Sequence, residues 1–544
     1  MLTISNLTLA YGDRTLFKEV DLKFLPSNCY GLIGANGAGK STFLKIISGE
    51  IEQTHGDVFM NPNERLAVLQ QDQFAFDEFT VLHTVIKGHQ RLYEIMIERD
   101  KIYAKPDFSD EDGVKAAELE DEFAEMGGYE AESEAASLLK GLGIGEDLHD
   151  KQMGSLEAGQ KVRVLLAQAL FGNPDILLLD EPTNNLDLQS ISWLEDFLSK
   201  FSNTVIVVSH DRHFLNNVCT HISDIDFGQI KTYVGNYDFW YQSSQLALRQ
   251  RQESSKKATD KIKELEDFVR RFSANASKSK QATARKKLID KLRPEEMPAS
   301  TRKFPYIDFK SDRPCGKVIA NVTGVSHTFD GEHVLNDFNL TVENGDKIIF
   351  LGPNDLVKTV LFEILVGNIE PDKGQVTWGT TIKTTYFPKE NSQFFDTDLN
   401  LVDWLRQYTT EDDSNIVRGY LGRMLFSGEE ALKEVNVLSG GEKVRCMLSR
   451  MMLRGANVLL FDDPTNHLDL EAITALNNAL IKFKDVILFS SHDHEFVSTV
   501  ANRVIELTPN GVIDRAMTFE EYVKNKQVQQ LRAKLYQHVE LFKL

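Results

Sequence analysis

The chain has 544 residues, 42% of them hydrophobic and 26% charged, with a net charge of −20. That length suits two to four domains, each able to bury its own core, in a composition ordinary for a soluble globular protein. There is no stretch of about 18 apolar residues and no basic-then-apolar N-terminal pattern, so a cytoplasmic chain with no membrane partner is expected. Spread evenly, the acidic balance would argue against nucleic acid, but residues 244–303 carry 17 basic against 8 acidic side chains, a local +9 that leaves −29 elsewhere.

In chain order, the alternating "MLTISNLTLAYG" predicts strand, and the apolar "CYGLIG" runs into "GANGAGKST" and the helix-forming "STFLKII". "VLHTVIKGHQRLYEIMIERDKIY" has helical spacing, "KPDFSDEDG" is a break around Pro106 and Gly113, and "VKAAELEDEFAEM" resumes the helix until Gly127 and Gly128. "DILLLDE" is a buried parallel strand ending in carboxylates, and "VVSHDR" ends another. From residue 233 to 305 no strand pattern occurs. A long charged helix, "YDFWYQSSQLALRQRQESSKKATDKIKELEDFVRRF", leads to the basic loop "SANASKSKQATAR" and a second helix, "KKLIDKLRPEE". Strand patterns return in "VIANVTGVSHTFDG" and "NVLLFDD", and beyond Arg515 a short charged helix is expected. Cys29, Cys219, Cys315 and Cys446 have neither disulfide nor metal spacing and are expected as four buried, reduced thiols.

The chain repeats itself. Gly34 pairs with Gly352 and Gln71 with Lys389 at an offset of 318, while Leu156 pairs with Leu438 and Asp180 with Asp462 at 282. The first copy therefore holds 36 extra residues between Gln71 and Leu156, a helical hairpin grafted into it.

Residues 34–41 fit G-x-x-x-x-G-K-[ST], following an apolar strand and opening a helix. In that context the glycines let backbone N–H groups converge on phosphate oxygens, Lys40 reaches the terminal phosphates, and Ser41 can ligate Mg²⁺. Asp180 at a strand end suits the metal, and Glu181 beside it can orient or deprotonate an attacking water. His210 ends the next strand and could contact the terminal phosphate, although a lone strand-end histidine is more often structural.

This ordered set resembles the ATP-binding cassette superfamily in both copies. Two cassettes with no membrane domain, the motifs "DEPTNNLD" and "DDPTNHLD", an insert in the first copy and a basic helical linker are similar to the ABC-F family of ribosome-associated translation factors. The resemblance implies an α/β fold: two ATP-binding cassette (P-loop NTPase) domains joined by a long basic helical hairpin linker. The expected boundaries are residues 1–232 for the first cassette with a helical arm near 85–127, 233–305 for the linker, 306–515 for the second cassette, and 516–544 for a C-terminal helical segment.

It also implies an ATPase working with ATP and Mg²⁺ at two sites, each between one cassette's phosphate loop and the other's signature. Site one would combine Tyr11 (adenine stacking), Gly34, Asn36, Gly37, Gly39, Lys40, Ser41 and Thr42, Gln71, Asp180, Asp187, and the catalytic Glu181 and His210 with Ser439, Gly440 and Gly441 of "LSGGEK". Its metal ligands would be Ser41, Gln71 and Asp180. Site two would combine Phe329, Gly352, Lys358, Thr359, Lys389, Asp462, Asp463 and His492 with the signature "LEAGQ". All five departures from the pattern fall in site two: Asp355 and Val357 for glycines, Lys389 for Gln, Asp463 for the catalytic Glu, and Glu157 for the signature Ser. Valine resists φ > 0 and Asp355 places an anion in an anion cradle, so a distorted, less positive nest is expected, with hydrolysis running mainly through site one.

Residues 270–293 carry nine basic side chains and one Asp. Lys278, Lys280, Arg285, Lys286 and Lys287 suit salt-dependent, sequence-independent phosphate contacts. A charged helical pair is often only a solvated spacer. In a chain that resembles this family it implies a ribosomal partner, with rRNA and peptidyl-tRNA at the tRNA exit site, for a monomer whose cassettes close on each other. The arm, with 6 basic and 15 acidic residues over 85–134, should instead repel phosphate. Two other readings stay open on sequence: the ATPase of a transporter with separate membrane subunits, and a DNA-directed ATPase.

Overall fold

A computed structural model describes residues 1–12, 14–184, 186, 188–272, 287–289, 302–329, 331–409, 414–466 and 468–536. It divides into two compact units. One comprises Met1–Asn185, Ser192–Ser209 and Phe214–Thr301, and the other Leu186–Ile191, His210–His213 and Arg302–Leu544.

In the first unit a six-stranded sheet has the order Leu66–Val68, Ile176–Asp180, Thr204–Val208, Cys29–Gly34, His221–Asp226, Gln229–Val234, parallel except for the last pair. "ILLLD" and "TVIVV" read as unbroken apolar runs because helices cover both faces of a parallel sheet. An antiparallel sheet of Leu2–Tyr11, Arg14–Phe24 and His55–Phe59 shares a core with it, with Leu7, Phe17, Phe24, Phe43 and Leu178 fully buried.

The second unit repeats the same order with Thr384–Phe387, Val458–Asp462, Val486–Ser490, Lys347–Leu351, Arg503–Thr508 and Gly511–Arg515. Its antiparallel sheet is Glu332–Val342, Ala320–Phe329 and Lys373–Trp378. In both units the chain leaves the central parallel strand into the phosphate loop with the carboxylate strand two positions away, where open α/β sheets bind ligands.

The arm differs in detail from the sequence expectation. The first helical stretch breaks into Val81–Ile86 and Gln90–Tyr103; Gly88 lies in the break, packed so closely on Gln168 that a Cβ there would lie 2.0 Å from its carbonyl oxygen. The second helix starts earlier than its glycine suggests. It spans Asp110–Glu125 with Gly113 inside it, since Ser109 caps it and Asp112 completes a capping box. Leu92, Ile95 and Met96 are buried on the first helix, Leu119 and Phe123 on the second, and the Arg99 guanidinium lies 3.9 Å from the Phe123 ring centroid.

The linker's outgoing helix is a single element, Tyr237–Phe272, about 54 Å long at 1.5 Å per residue. The basic loop over 273–283 lies outside the described residues, as does all of the return helix except 287–289.

The single C-terminal helix expected from sequence is two, Phe519–Lys524 and Lys526–Leu535, divided at Asn525, whose side chain caps the second. They are tied to the sheet through Glu506, which is buried on Arg503–Thr508. Its carboxylate accepts from Tyr522 Oη at 2.5 Å, Arg532 Nε at 3.0 Å and Tyr536 Oη at 2.9 Å. Glu506→Ala strands these donors and is expected to cost roughly 2–3 kcal/mol, read from the urea midpoint of the second cassette's unfolding. A change under about 0.5 kcal/mol would show that the helices are held by apolar contacts alone.

All four cysteines are free thiols as expected, and Cys29, Cys219 and Cys446 are buried; only the burial of Cys315 needs correction. Cys315 is only partly buried, and Cys29 and Cys219, distant in sequence, bring their Sγ atoms to 3.9 Å across adjacent strand and loop. That separation is too long for a disulfide, so both are thiols, and the Cys29 contact together with burial pushes the Cys219 thiol up.

Candidate nucleotide sites

The first phosphate loop has the backbone its glycines permit. Gly37 sits at φ 77° and Gly39 at φ 101°, and the helix Lys40–Ile47 begins only after them. Lys40 is buried beneath the loop, its Nζ donating to Gly34 O at 2.8 Å. Asn36 and Ser41 are exposed and Thr42 half-exposed. Gln71 Nε2 donates to Asp180 Oδ2 at 3.0 Å, so amide and carboxylate share one end of the sheet. Ser41, exposed at the start of its helix, carries a hydroxyl oxygen of the kind Mg²⁺ takes. Tyr11 ends its strand 54% exposed, a flat aromatic surface left open to solvent.

Glu181 follows Asp180 with φ 52°, and its N–H donates to Val208 O at 2.9 Å. Asp463 repeats this at φ 48°, its N–H donating to Ser490 O at 3.2 Å. A non-glycine residue held in this region costs of order 1–3 kcal/mol, and such strain concentrates at functional positions. His210 lies two residues beyond its strand, in a segment grouped with the second unit; Asp187 lies outside the described residues.

The second loop is built differently. Asn354 (φ −115°) caps a helix, Asp355–Val366, which starts at the position matching Gly37. Asp355 and Val357 thus take ordinary helical geometry, and one helical turn replaces the cradle. Gly352 stays glycine for another reason: a Cβ there would come within 2.7 Å of Leu507 O, as one at Gly34 would within 2.9 Å of Ile225 O. The first glycine of each loop therefore serves the close approach to the neighbouring strand.

Charges fill the second pocket. Asp355 Oδ1 lies 2.6 Å from Lys358 Nζ and Oδ2 lies 2.6 Å from Lys389 Nζ, with His492 Nε2 3.4 Å away. Lys389 also stands 3.4 Å, and His492 3.6 Å, from the buried carboxylate of Asp463. Burial pushes the Asp355 carboxyl up, but the His492 hydrogen bond and the Lys358 and Lys389 charges outweigh it and hold the group well below the usual carboxylate range. For a lowered carboxylate the stabilisation is present above the unfolded value of about 3.9 and is lost as pH falls below it, so the network is intact at neutral pH. Asp462 accepts from Thr359 Oγ1 at 2.6 Å and Ser490 Oγ at 2.7 Å, and burial raises its carboxyl despite these bonds. Phe329 ends its strand 38% exposed.

The signature segments open helices. Ser439 caps Gly440–Leu453, accepting from Glu442 N and donating to the Glu442 carboxylate at 2.8 Å. Glu157 takes the same position before Ala158–Leu170, where the helix dipole favours its negative charge. Of the predicted basic contacts only Lys287 is described, on an exposed helical turn; Lys278, Lys280, Arg285 and Lys286 lie outside the described residues.

The sequence offers Lys389 as a partial offset to the negative charge added at this site; what it does not give is the direct pairing of Asp355 with Lys358, Lys389 and His492.

A parallel sheet with a phosphate loop after its central strand, a carboxylate pair on a nearby strand and a helix-capping signature defines an ATP-binding cassette, here present twice. A family model described as "ABC transporter" matches residues 17–184 and again 335–466, and a second model of the same description matches 223–309. An uncharacterized ABC transporter ATP-binding protein of Bacillus subtilis (strain 168), YkpA, is 61% identical over 98% of this chain and all of its own. A probable ATP-binding protein of Escherichia coli O157:H7, YbiT, is 47% identical over 97% and 100%. ABC transporter F family member 5 of Arabidopsis thaliana is 30% identical over 96% of this chain and 77% of its own. The chain belongs to the ABC-F family and is an ATP-binding ATPase. A solved archaeal ribosome recycling factor, aABCE1 in complex with a stalk protein, superimposes with a TM-score of 0.60 at 18% identity, covering 97% of this chain and 92% of that one, a likeness of fold. Among the described residues no helix is long and apolar enough to cross a membrane.

Proposed function

We propose that this protein is a ribosome-associated translation factor that binds with ATP held between closed cassettes and leaves after hydrolysis. The observation that carries this is the pairing of a fully equipped first nucleotide site with a 36-residue helix running into the basic stretch. A helix about 54 Å long can carry cations far from the cassettes, to where peptidyl-tRNA and rRNA phosphates are met at the tRNA exit site. In the working state Ser439, Gly440 and Gly441 would complete the site of Lys40, Ser41, Gln71, Asp180 and Glu181, with His210 at the terminal phosphate. Mg²⁺ held by Ser41, Asp180 and Gln71 would neutralise phosphate charge there. The chain's own residues do the rest: the loop N–H groups orient the phosphates, Tyr11 stacks on adenine, and Glu181 accepts the water's proton.

The test traps the protein with Glu181→Gln plus ATP in a lysate and pellets ribosomes. Co-sedimentation is expected, falling when Lys278, Lys280, Arg285, Lys286 and Lys287 are neutralised. Each lost phosphate contact should lower the slope of log affinity against log salt by about 0.7–0.9. Recovery with membranes or DNA instead would overturn the reading.

A further inference from the structure

We infer that the second cassette's phosphate seat carries its own anion: the Asp355 carboxylate stands where a nucleotide's terminal phosphate would meet Lys358, Lys389 and His492. The pocket is thus satisfied without ligand, and the chain takes up nucleotide only through its first phosphate loop.

Three observations converge on this. The loop that would wrap around a phosphate is helix from Asp355 onward, and the Asn354 side chain already accepts from Leu356 N at its first turn, so a short capped helix end stands where the first cassette has an open glycine loop. Lys358, matching the phosphate-binding Lys40, is buried and lies 2.6 Å from Asp355. Lys389, which matches the neutral Gln71, binds the other oxygen of the same carboxylate at 2.6 Å. An incoming polyphosphate would have to displace Asp355 from two ammonium groups and leave that carboxylate beside it, a cost the first pocket does not carry.

The two substitutions make sense together and neither does alone. Asp355 without Lys389 would add unbalanced negative charge beside Asp463. Lys389 without Asp355 would place a second ammonium next to Lys358. A metal reading of the same cluster is weaker. Asp355, Asp463 and His492 present ligand atoms within 4.8 Å of one another, but both Asp355 oxygens already hold lysines that a cation would have to expel.

This rests on the ATP-binding reading of the cassettes, and the test separates the two. In the full chain carrying Lys40→Ala, which removes the first pocket, tripolyphosphate and ATP·Mg²⁺ are titrated by calorimetry. The expected Kd is weaker than about 1 mM, only about 4 kcal/mol of binding. Adding Asp355→Gly frees the two lysines and should tighten tripolyphosphate by about tenfold or more. Asp355→Asn, which keeps the shape and removes the charge, should move the same way. Micromolar ATP binding by Lys40→Ala alone would overturn the inference, as would no gain from either Asp355 variant in a folded chain. Failure of ATP binding by the unmutated chain would sink the functional reading instead, and shows in a different sample.

Discussion

Glu181→Gln is expected to lower steady-state ATP turnover by about 10²–10⁴-fold, the range a positioned general base contributes, while ATP binding persists. Glu181 directly follows Asp180 at the strand end, and its backbone is held in a strained conformation with its N–H bonded to Val208 O. Amide for carboxylate keeps that shape and removes the proton acceptor. Asp463→Asn at the matching position is expected to change turnover less than about twofold, well below that contribution. Asp463 is one methylene shorter, buried, and faces Lys389 and His492 instead of an open pocket. Phosphate release by the two variants checks this, and the opposite pattern, with turnover lost in Asp463→Asn and intact in Glu181→Gln, would place hydrolysis in the second cassette.

Importing the second loop into the first, Gly37→Asp with Gly39→Val, is expected to weaken ATP binding by about 30- to 1,000-fold. Side chains at φ 77° and 101° cost about 1–2 kcal/mol each, and a Cβ at Gly39 would also press to 3.2 Å of Leu16 Cδ1. The chain can relieve the strain by winding the loop into helix, as residues 355–357 have done, but the cradle is then lost. Either route lowers affinity. Calorimetry on the full-length variant reads the effect, and affinity within threefold of the parent would show that the glycines are not what shapes the site.

Much of this was legible in advance because the signals are local. The repeat offsets, the strand-ending carboxylates and the glycine-lysine loop follow from spacing, and the two six-stranded sheets have the same order because the two sequences have the same pattern. Helix bounds were less legible where tertiary contact decides them. Gly88, in the break of a periodic stretch, lies too close to the Gln168 carbonyl for any side chain, and Gly113 is carried inside a helix because the Ser109–Asp112 capping box starts that helix at Asp110. Periodicity reports neither.

By itself the sequence determined that one phosphate loop is complete and its twin is not, since glycine alone enters φ > 0 freely and the replaced residues cannot. Only the tertiary structure decided what the twin became. Lys358, Lys389 and His492 come from three separate segments of the second cassette, and their convergence on one carboxylate depends on strands side by side in a sheet. Spacing along a chain does not encode that proximity. What reads in one dimension as a damaged nucleotide loop is in three dimensions a closed set of balanced charges.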